Sequence, residues 1–286
     1  MPNFIDLKDL TKDQLIDLIS LSLKWKKNNC TKFMKDKNVV LIFEKPSLRT
    51  RISFEVGISQ LGGKSYLLNE KEMQLGQRET VEDTARVIER YADMVIIRCF
   101  GHDQLIKYAN ISNVPVINAL TDFSHPCQVV ADLITIKERL DDFVDKKVTW
   151  LGDCNNVLQS WIEASGLLNF ELNIACPKGV KPDAKTISWA LERNNNISIT
   201  NNPQEAAEGA NCIITDTWRS MGDKNPFPED EFIPFQVNKK IMELADKNAI
   251  FMHCLPAYRN KEVSCDVLEG SQSVVFDEAE NRLHAQ

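Results

Sequence analysis

The sequence predicts an α/β protein made of two doubly wound parallel-sheet domains. Short apolar runs of strand length alternate with segments of helical spacing along nearly the whole chain, which sets successive strands parallel with right-handed crossovers between them. The alternation occurs twice, on either side of the charged stretch 141–147, and 286 residues suffice for two domains that each bury a core. The expected organisation is a first domain over 1–139, with a helix at 126–139 bridging, and a second over 140–270. The closing segment 271–286 is expected to pack back toward the first.

Thr11-Lys12-Asp13-Gln14 is a capping box, and Leu15, Ile16, Ile19 and Leu23 continue it as a helix. Val39-Val40-Leu41-Ile42 has the length and β-branched content of a buried strand, and residues 52–58 return to helical spacing. Gly62-Gly63 stops that helix, 64–68 reads as a second strand, and the polar stretch 70–79, with Gln74 and Arg78, reads as an exposed loop. Thr80 caps a helix to about residue 91, strand 94–98 ends in Arg98, and strand 114–120 leads through Thr121-Asp122-Phe123-Ser124 to His125-Pro126-Cys127-Gln128. Pro126 suits the first helical position, so Ser124 or His125 stands at the cap of a helix to residue 140. In the second half, strands are expected at 148–151, 172–176, 197–200, 212–215 and 249–252, with helices to residue 168 and over 184–192, and the chain closes with Val274-Val275-Phe276 and a terminal helix.

A net charge of −7 and a pI near 5.3 argue against nucleic acid or an anionic membrane as partner. Eight cysteines show no C-x-x-C pair and no short spacing to histidine, so neither a zinc site nor a disulfide framework is indicated. Several cysteines sit in apolar strand-like runs, as buried thiols in a reducing compartment do. The N-terminus has no basic segment followed by a long apolar run, and no membrane span is expected, which points to the cytoplasm. There is no G-x-G-x-x-G and no Walker A motif, so no nucleotide cofactor is expected. His253 and Cys254 have no further ligands grouped with them in sequence, so no metal is expected either.

The chemistry-bearing residues cluster where strands end. Ser47-Leu48-Arg49-Thr50-Arg51 follows the first strand and opens a helix, so free backbone N–H groups, two hydroxyls and guanidinium forks converge on a spot suited to a phosphate. Taken singly this is an ordinary N-cap with two solvated arginines. Arg98 at a second strand end, and His125 with Gln128 at a third, add to the same rim of one sheet, where open α/β sheets bind ligands. The second half offers Gly152-Asp153-Cys154-Asn155-Asn156, then Thr215-Asp216-Thr217-Trp218-Arg219-Ser220-Met221-Gly222, whose carboxylate suits an amine, and finally His253-Cys254-Leu255-Pro256. Cys254 alone reads as a buried strand-end thiol, and Arg282 alone as part of a solvated helix face.

Together, Ser47-Leu48-Arg49-Thr50-Arg51, His125-Pro126-Cys127-Gln128, Asp216 with Ser220-Met221-Gly222, and His253-Cys254-Leu255-Pro256 resemble the motif set of the carbamoyltransferases, in its ornithine branch. The family usually has threonine where Leu48 stands, a position bound through its backbone, and a longer final helix after the arginine matched by Arg282. The resemblance implies two α/β domains with the active site in the cleft between them, no cofactor, and a homotrimer or a multiple of trimers. It implies that Ser47, Leu48, Arg49, Thr50, Gln74, Arg98, His125, Gln128, Cys254, Leu255 and Arg282 hold carbamoyl phosphate. Asn156, Asp216, Ser220 and Met221 would hold L-ornithine, and Cys254, His125, Arg98, Asp216 and Arg282 would be the catalytic set.

The implied reaction is attack of the ornithine δ-amine on the carbonyl carbon of carbamoyl phosphate, giving citrulline and phosphate. Asp216 and Cys254 would bind the δ-ammonium and help remove its proton, with either Cys254 or the departing phosphate as final acceptor. An aspartate carbamoyltransferase would need basic groups for a dicarboxylate, which Asp216 would repel, and it typically has proline where Cys254 stands. Relatives acting on putrescine or an N-acylated ornithine differ in loops near 217–226. A catalytically silent phosphate-ligand binder on the same scaffold would not need the Cys254 thiol.

Overall fold

The computed structural model describes residues 3–28, 32–69, 79–219 and 227–286. The chain divides into two compact units, Met1–Val130 with Arg282–Gln286, and Ala131–Asn281.

The first unit opens with α1 (Lys12–Lys27), whose capping box forms as expected: Thr11 Oγ1 accepts from Gln14 N, and Gln14 Oε1 accepts from Thr11 N at 2.8 Å. Its sheet contains β1 (Asn38–Phe43), β2 (Lys64–Asn69), β3 (Met94–Arg98) and β4 (Val116–Leu120), all parallel, in the order β2-β1-β3-β4. Both faces are covered. Val39, Leu41 and Phe43 pack in one buried cluster with Phe54 and Ile58, while Val40 and Ile42 pack in another with Ala85, Leu105 and Tyr108. That is why these strands read as continuous apolar runs. The covering helices are α2 (Leu48–Gln60), α3 (Val81–Ile88) and α4 (His102–Ile111). The last was not anticipated from sequence, although Leu105, Tyr108 and Ala109 supply its buried stripe. Helix α5 (Pro126–Leu140) follows β4, and the division between units falls within it.

The second unit holds a five-stranded parallel sheet of β5 (Lys147–Leu151), β6 (Glu171–Ala175), β7 (Ile197–Thr200), β8 (Cys212–Thr215) and β9 (Ile250–His253), ordered β7-β6-β5-β8-β9. Helices α6 (Asn156–Leu168), α7 (Ala184–Leu191), α8 (Pro203–Ala207), α9 (Lys239–Leu244) and α10 (Cys265–Leu268) complete it with α11 (Val275–Ala285), whose final residues belong to the first unit. Ser273 makes one isolated bridge to Phe251, and Val275 starts α11, with Phe276 70% exposed.

Each sheet reverses its strand order once, between β1 and β3 in the first and between β5 and β8 in the second. The carboxyl ends at such a reversal diverge and leave a crevice for a ligand. Ser47 follows β1 and Arg98 ends β3; Gly152 follows β5 and Asp216 follows β8. Among the described residues no helix is long and apolar enough to cross a membrane.

Candidate active site

In the first unit Ser47 caps α2, its hydroxyl accepting from Thr50 N at 3.3 Å. Leu48 and Arg49 occupy the first helical turn, where backbone N–H groups have no intrahelical acceptor and the helix dipole favours an anion. The Leu48 side chain is 75% exposed, so at this position only the backbone faces the helix entrance, and the side chain is free to differ. Arg49 is half-buried beside it.

Thr50 is buried, and its Oγ1 accepts from two guanidinium groups, Arg282 Nη2 at 2.7 Å and Arg98 Nη1 at 3.5 Å. A threonine hydroxyl accepts twice and donates once, so its single proton remains available to a ligand. Arg282 Nη1 donates to Gln128 Oε1 at 2.8 Å, which orients the Gln128 amide. His125 is buried next to both arginines, and burial, Arg282 and Arg98 together push its pKa well below the ordinary histidine value. At neutral pH it is an uncharged imidazole that can donate one hydrogen bond. Ser47, Arg98, His125, Gln128 and Arg282 are thus grouped around Thr50 despite wide separation in sequence.

The turn delivering His125 is held by residues the sequence did not flag. Ser124 Oγ donates to Asp6 Oδ1 at 2.5 Å, His102 Nε2 lies 3.2 Å from Asp6 Oδ2, and His102 Nδ1 lies 2.9 Å from Thr121 Oγ1. Hydrogen bonds from Ser124 and His102 hold the Asp6 carboxyl below its usual pKa even though burial alone would raise it. Nothing local to 121–125 signals a partner 118 residues away.

In the second unit Gly152, at φ +126, turns the chain out of β5. Asn155 then caps α6: its Oδ1 accepts from Val157 N and Leu158 N, and its Nδ2 donates to Asp216 Oδ2 at 2.7 Å. Asp216 Oδ1 in turn accepts from the Cys254 thiol at 3.1 Å. Burial and the Asp216 carboxylate push Cys254 well above the usual thiol range, so it enters as a protonated thiol rather than a thiolate. Asn156 follows at the first position of α6. Leu255 follows Cys254 at φ +55, with its N–H donating to His253 Nδ1 at 2.9 Å; the Leu255–Pro256 peptide is cis.

Ligand atoms of Asp216, His253 and Cys254 lie within 4.8 Å of one another, a grouping the sequence spacing did not reveal. They are already engaged. His253 Nδ1 accepts from Leu255, its Nε2 lies 3.2 Å from Glu262 Oε1, and Asp216 holds the Cys254 proton. Gln74, Ser220 and Met221 lie outside the described residues.

Residues 2–138 match the profile of the carbamoyl-P binding domain of aspartate/ornithine carbamoyltransferases, and residues 144–286 match that of the Asp/Orn binding domain. An ornithine carbamoyltransferase of Brucella ovis is 51% identical over 251 residues, covering 87% of this chain and 80% of that protein. One of Rhodopseudomonas palustris is 47% identical over 99% of this chain and 94% of its own length. Among solved structures, the ornithine carbamoyltransferase from Pyrococcus furiosus superposes with a TM-score of 0.95 at 40% identity, covering 99% of this chain and 94% of that one. The anabolic enzyme from Campylobacter jejuni superposes with a TM-score of 0.95 at 40% identity, covering 100% and 96%. The two profiles between them span nearly the whole chain, and with these relatives they show that the chain belongs to the aspartate/ornithine carbamoyltransferase family.

Proposed function

We propose that the chain transfers the carbamoyl group of carbamoyl phosphate to the δ-amine of L-ornithine, giving L-citrulline and phosphate, as a step of arginine biosynthesis. The observation that carries the reading is the sharing of the buried Thr50 hydroxyl by Arg98 and Arg282 beside His125. For the acceptor, the support is the Asp216 carboxylate, held by Asn155 and Cys254. Asp216 matches an ammonium and repels a dicarboxylate, which favours ornithine over aspartate.

Arg49, Arg98 and the amides at the start of α2 take the phosphate charge, making phosphate a better leaving group. Thr50, Arg282 and neutral His125 donate to the carbonyl oxygen as it becomes an oxyanion. Gln128 and the backbone at Leu255 orient the carbamoyl amide. Asp216 binds the δ-ammonium, and holding both reactants in line supplies much of the acceleration. Because the Cys254 thiol is held in its protonated form, the departing phosphate is the proton acceptor, and Cys254 shapes the amine site. The chemistry needs neither a metal nor an organic cofactor.

Helix α2 shows an apolar stripe at Leu48, Ile52 and Val56, which are 75%, 47% and 39% exposed and spaced four apart on one face. Such a stripe supports self-association, and we assign the assembly as a homotrimer. The seven described cysteines are free thiols, which supports a cytoplasmic setting.

Purified protein given carbamoyl phosphate with ornithine, N-acetylornithine, putrescine or aspartate should form product with ornithine; turnover with none of the four would overturn the assignment. Arg49→Ala removes a half-buried guanidinium without touching the Thr50 network. It should weaken carbamoyl phosphate binding on the order of 100-fold by calorimetry with an unchanged melting curve, and wild-type affinity would remove Arg49 from the phosphate site. For Cys254→Ala, steady-state kinetics should show kcat down by less than about tenfold; a loss of roughly 100-fold or more would reinstate the thiol as the base. Light scattering should return about three times the chain mass of 32.6 kDa, and a monomer mass would refute the trimer.

A further inference from the structure

Cys154 and Cys176 lie outside the groups assigned above. Strands β5 and β6 run parallel with Leu151 opposite Ala175, and Gly152 N donates to Ala175 O at 3.0 Å, so the chain leaves both strands side by side. Three residues beyond Leu151 and one beyond Ala175, the two thiols are neighbours close enough to shift each other's ionisation, Cys176 down and Cys154 up. Cys176 Sγ also donates to Val180 O at 3.2 Å, a bond its ionisation would give up. Cys176 also lines a cavity of about 600 Å³ that includes Lys178 and Lys181. The cavity gives a small oxidant a path to the Cys176 sulfur.

We propose that Cys154 and Cys176 are a redox site, closing to a reversible disulfide on exposure to a peroxide and thereby weakening the acceptor half of the active site. The Cys176 thiolate attacks one peroxide oxygen, the O–O bond breaks and hydroxide leaves, giving a sulfenic acid. The Cys154 sulfur then attacks the Cys176 sulfur, the S–O bond breaks and water departs. Two thiols lose two protons and two electrons, and one hydrogen peroxide becomes two waters. An S–S bond of about 2.05 Å requires the sulfurs to close well inside their present contact distance. The pull falls on Cys154, whose neighbour Asn155 both caps α6 and grips Asp216 at 2.7 Å.

The coupling to Asp216 rests on its reading as the amine site; formation of the disulfide does not, so peptide mapping and kinetics separate the two. The full chain is treated with hydrogen peroxide, alkylated, digested without reductant and mapped by mass spectrometry. Ornithine KM is measured before treatment, after it, and after dithiothreitol. The expected result is a linked Cys154–Cys176 peptide and an ornithine KM raised about tenfold, the size of one charge-assisted hydrogen bond lost. The KM for carbamoyl phosphate should not change, and dithiothreitol should reverse the effect. Cys176→Ser should keep the untreated activity and lose the response. Absence of the linked peptide overturns the disulfide, a linked peptide with unchanged ornithine KM overturns its hold on Asn155, and a Cys176→Ser enzyme as sensitive as wild type overturns both.

Discussion

Two guanidinium groups share one buried hydroxyl at Thr50, and the geometry of the first unit follows from that arrangement. Arg98 arrives at the end of β3, Arg282 from the last turns of α11, and Thr50 from the first turn of α2. Bringing like charges together out of water is costly, and an arriving dianion offsets the cost. The fold therefore holds, before any ligand binds, a local positive field in a molecule whose net charge is −7.

One titratable group in each unit is kept neutral by its own surroundings. His125 is stripped of its proton by burial and two arginines, whereas Cys254 retains its proton through burial and Asp216. The sign of each shift follows its neighbour's charge. A neutral imidazole can donate a hydrogen bond without adding a third positive charge, and a neutral thiol donates to Asp216. Charge is thus carried by arginines and one aspartate, and the groups near their own titration range are held away from it.

The strand ends were legible in the sequence because a buried parallel strand reads as a continuous apolar run, and the residue after it is fixed in place by the sheet. Ser47, Arg98 and Asp216 could be placed that way. Helix α4 was missed because Gly101 precedes it without a side-chain cap and its opening, His102-Asp103-Gln104, is polar. Asn155 was not singled out because its double contact, to the amides of α6 and to Asp216, depends on the turn at Gly152, which no local pattern encodes. Asp6 was invisible as a support for His125, since its role depends on Phe4 pairing with Ile117 at the edge of the sheet and no local pattern encodes that.

Asn155 shows how little separates structure from specificity in the second unit. One side chain satisfies two amides of α6 and also fixes one carboxylate oxygen of Asp216, so the helix entrance and the Asp216 carboxylate are tied together. Thr215 Oγ1 reinforces this by donating to Leu151 O at 2.6 Å, tying β8 to β5 one residue before the carboxylate. Trp150 Nε1 holds the turn from its other side through Asp153 O at 2.9 Å. A displacement anywhere in Gly152–Asn155 therefore reaches Asp216 through a rigid path of a few bonds. Substitutions in this turn are expected to act on the amine substrate and to leave the phosphate half alone, because the first unit shares none of these hydrogen bonds.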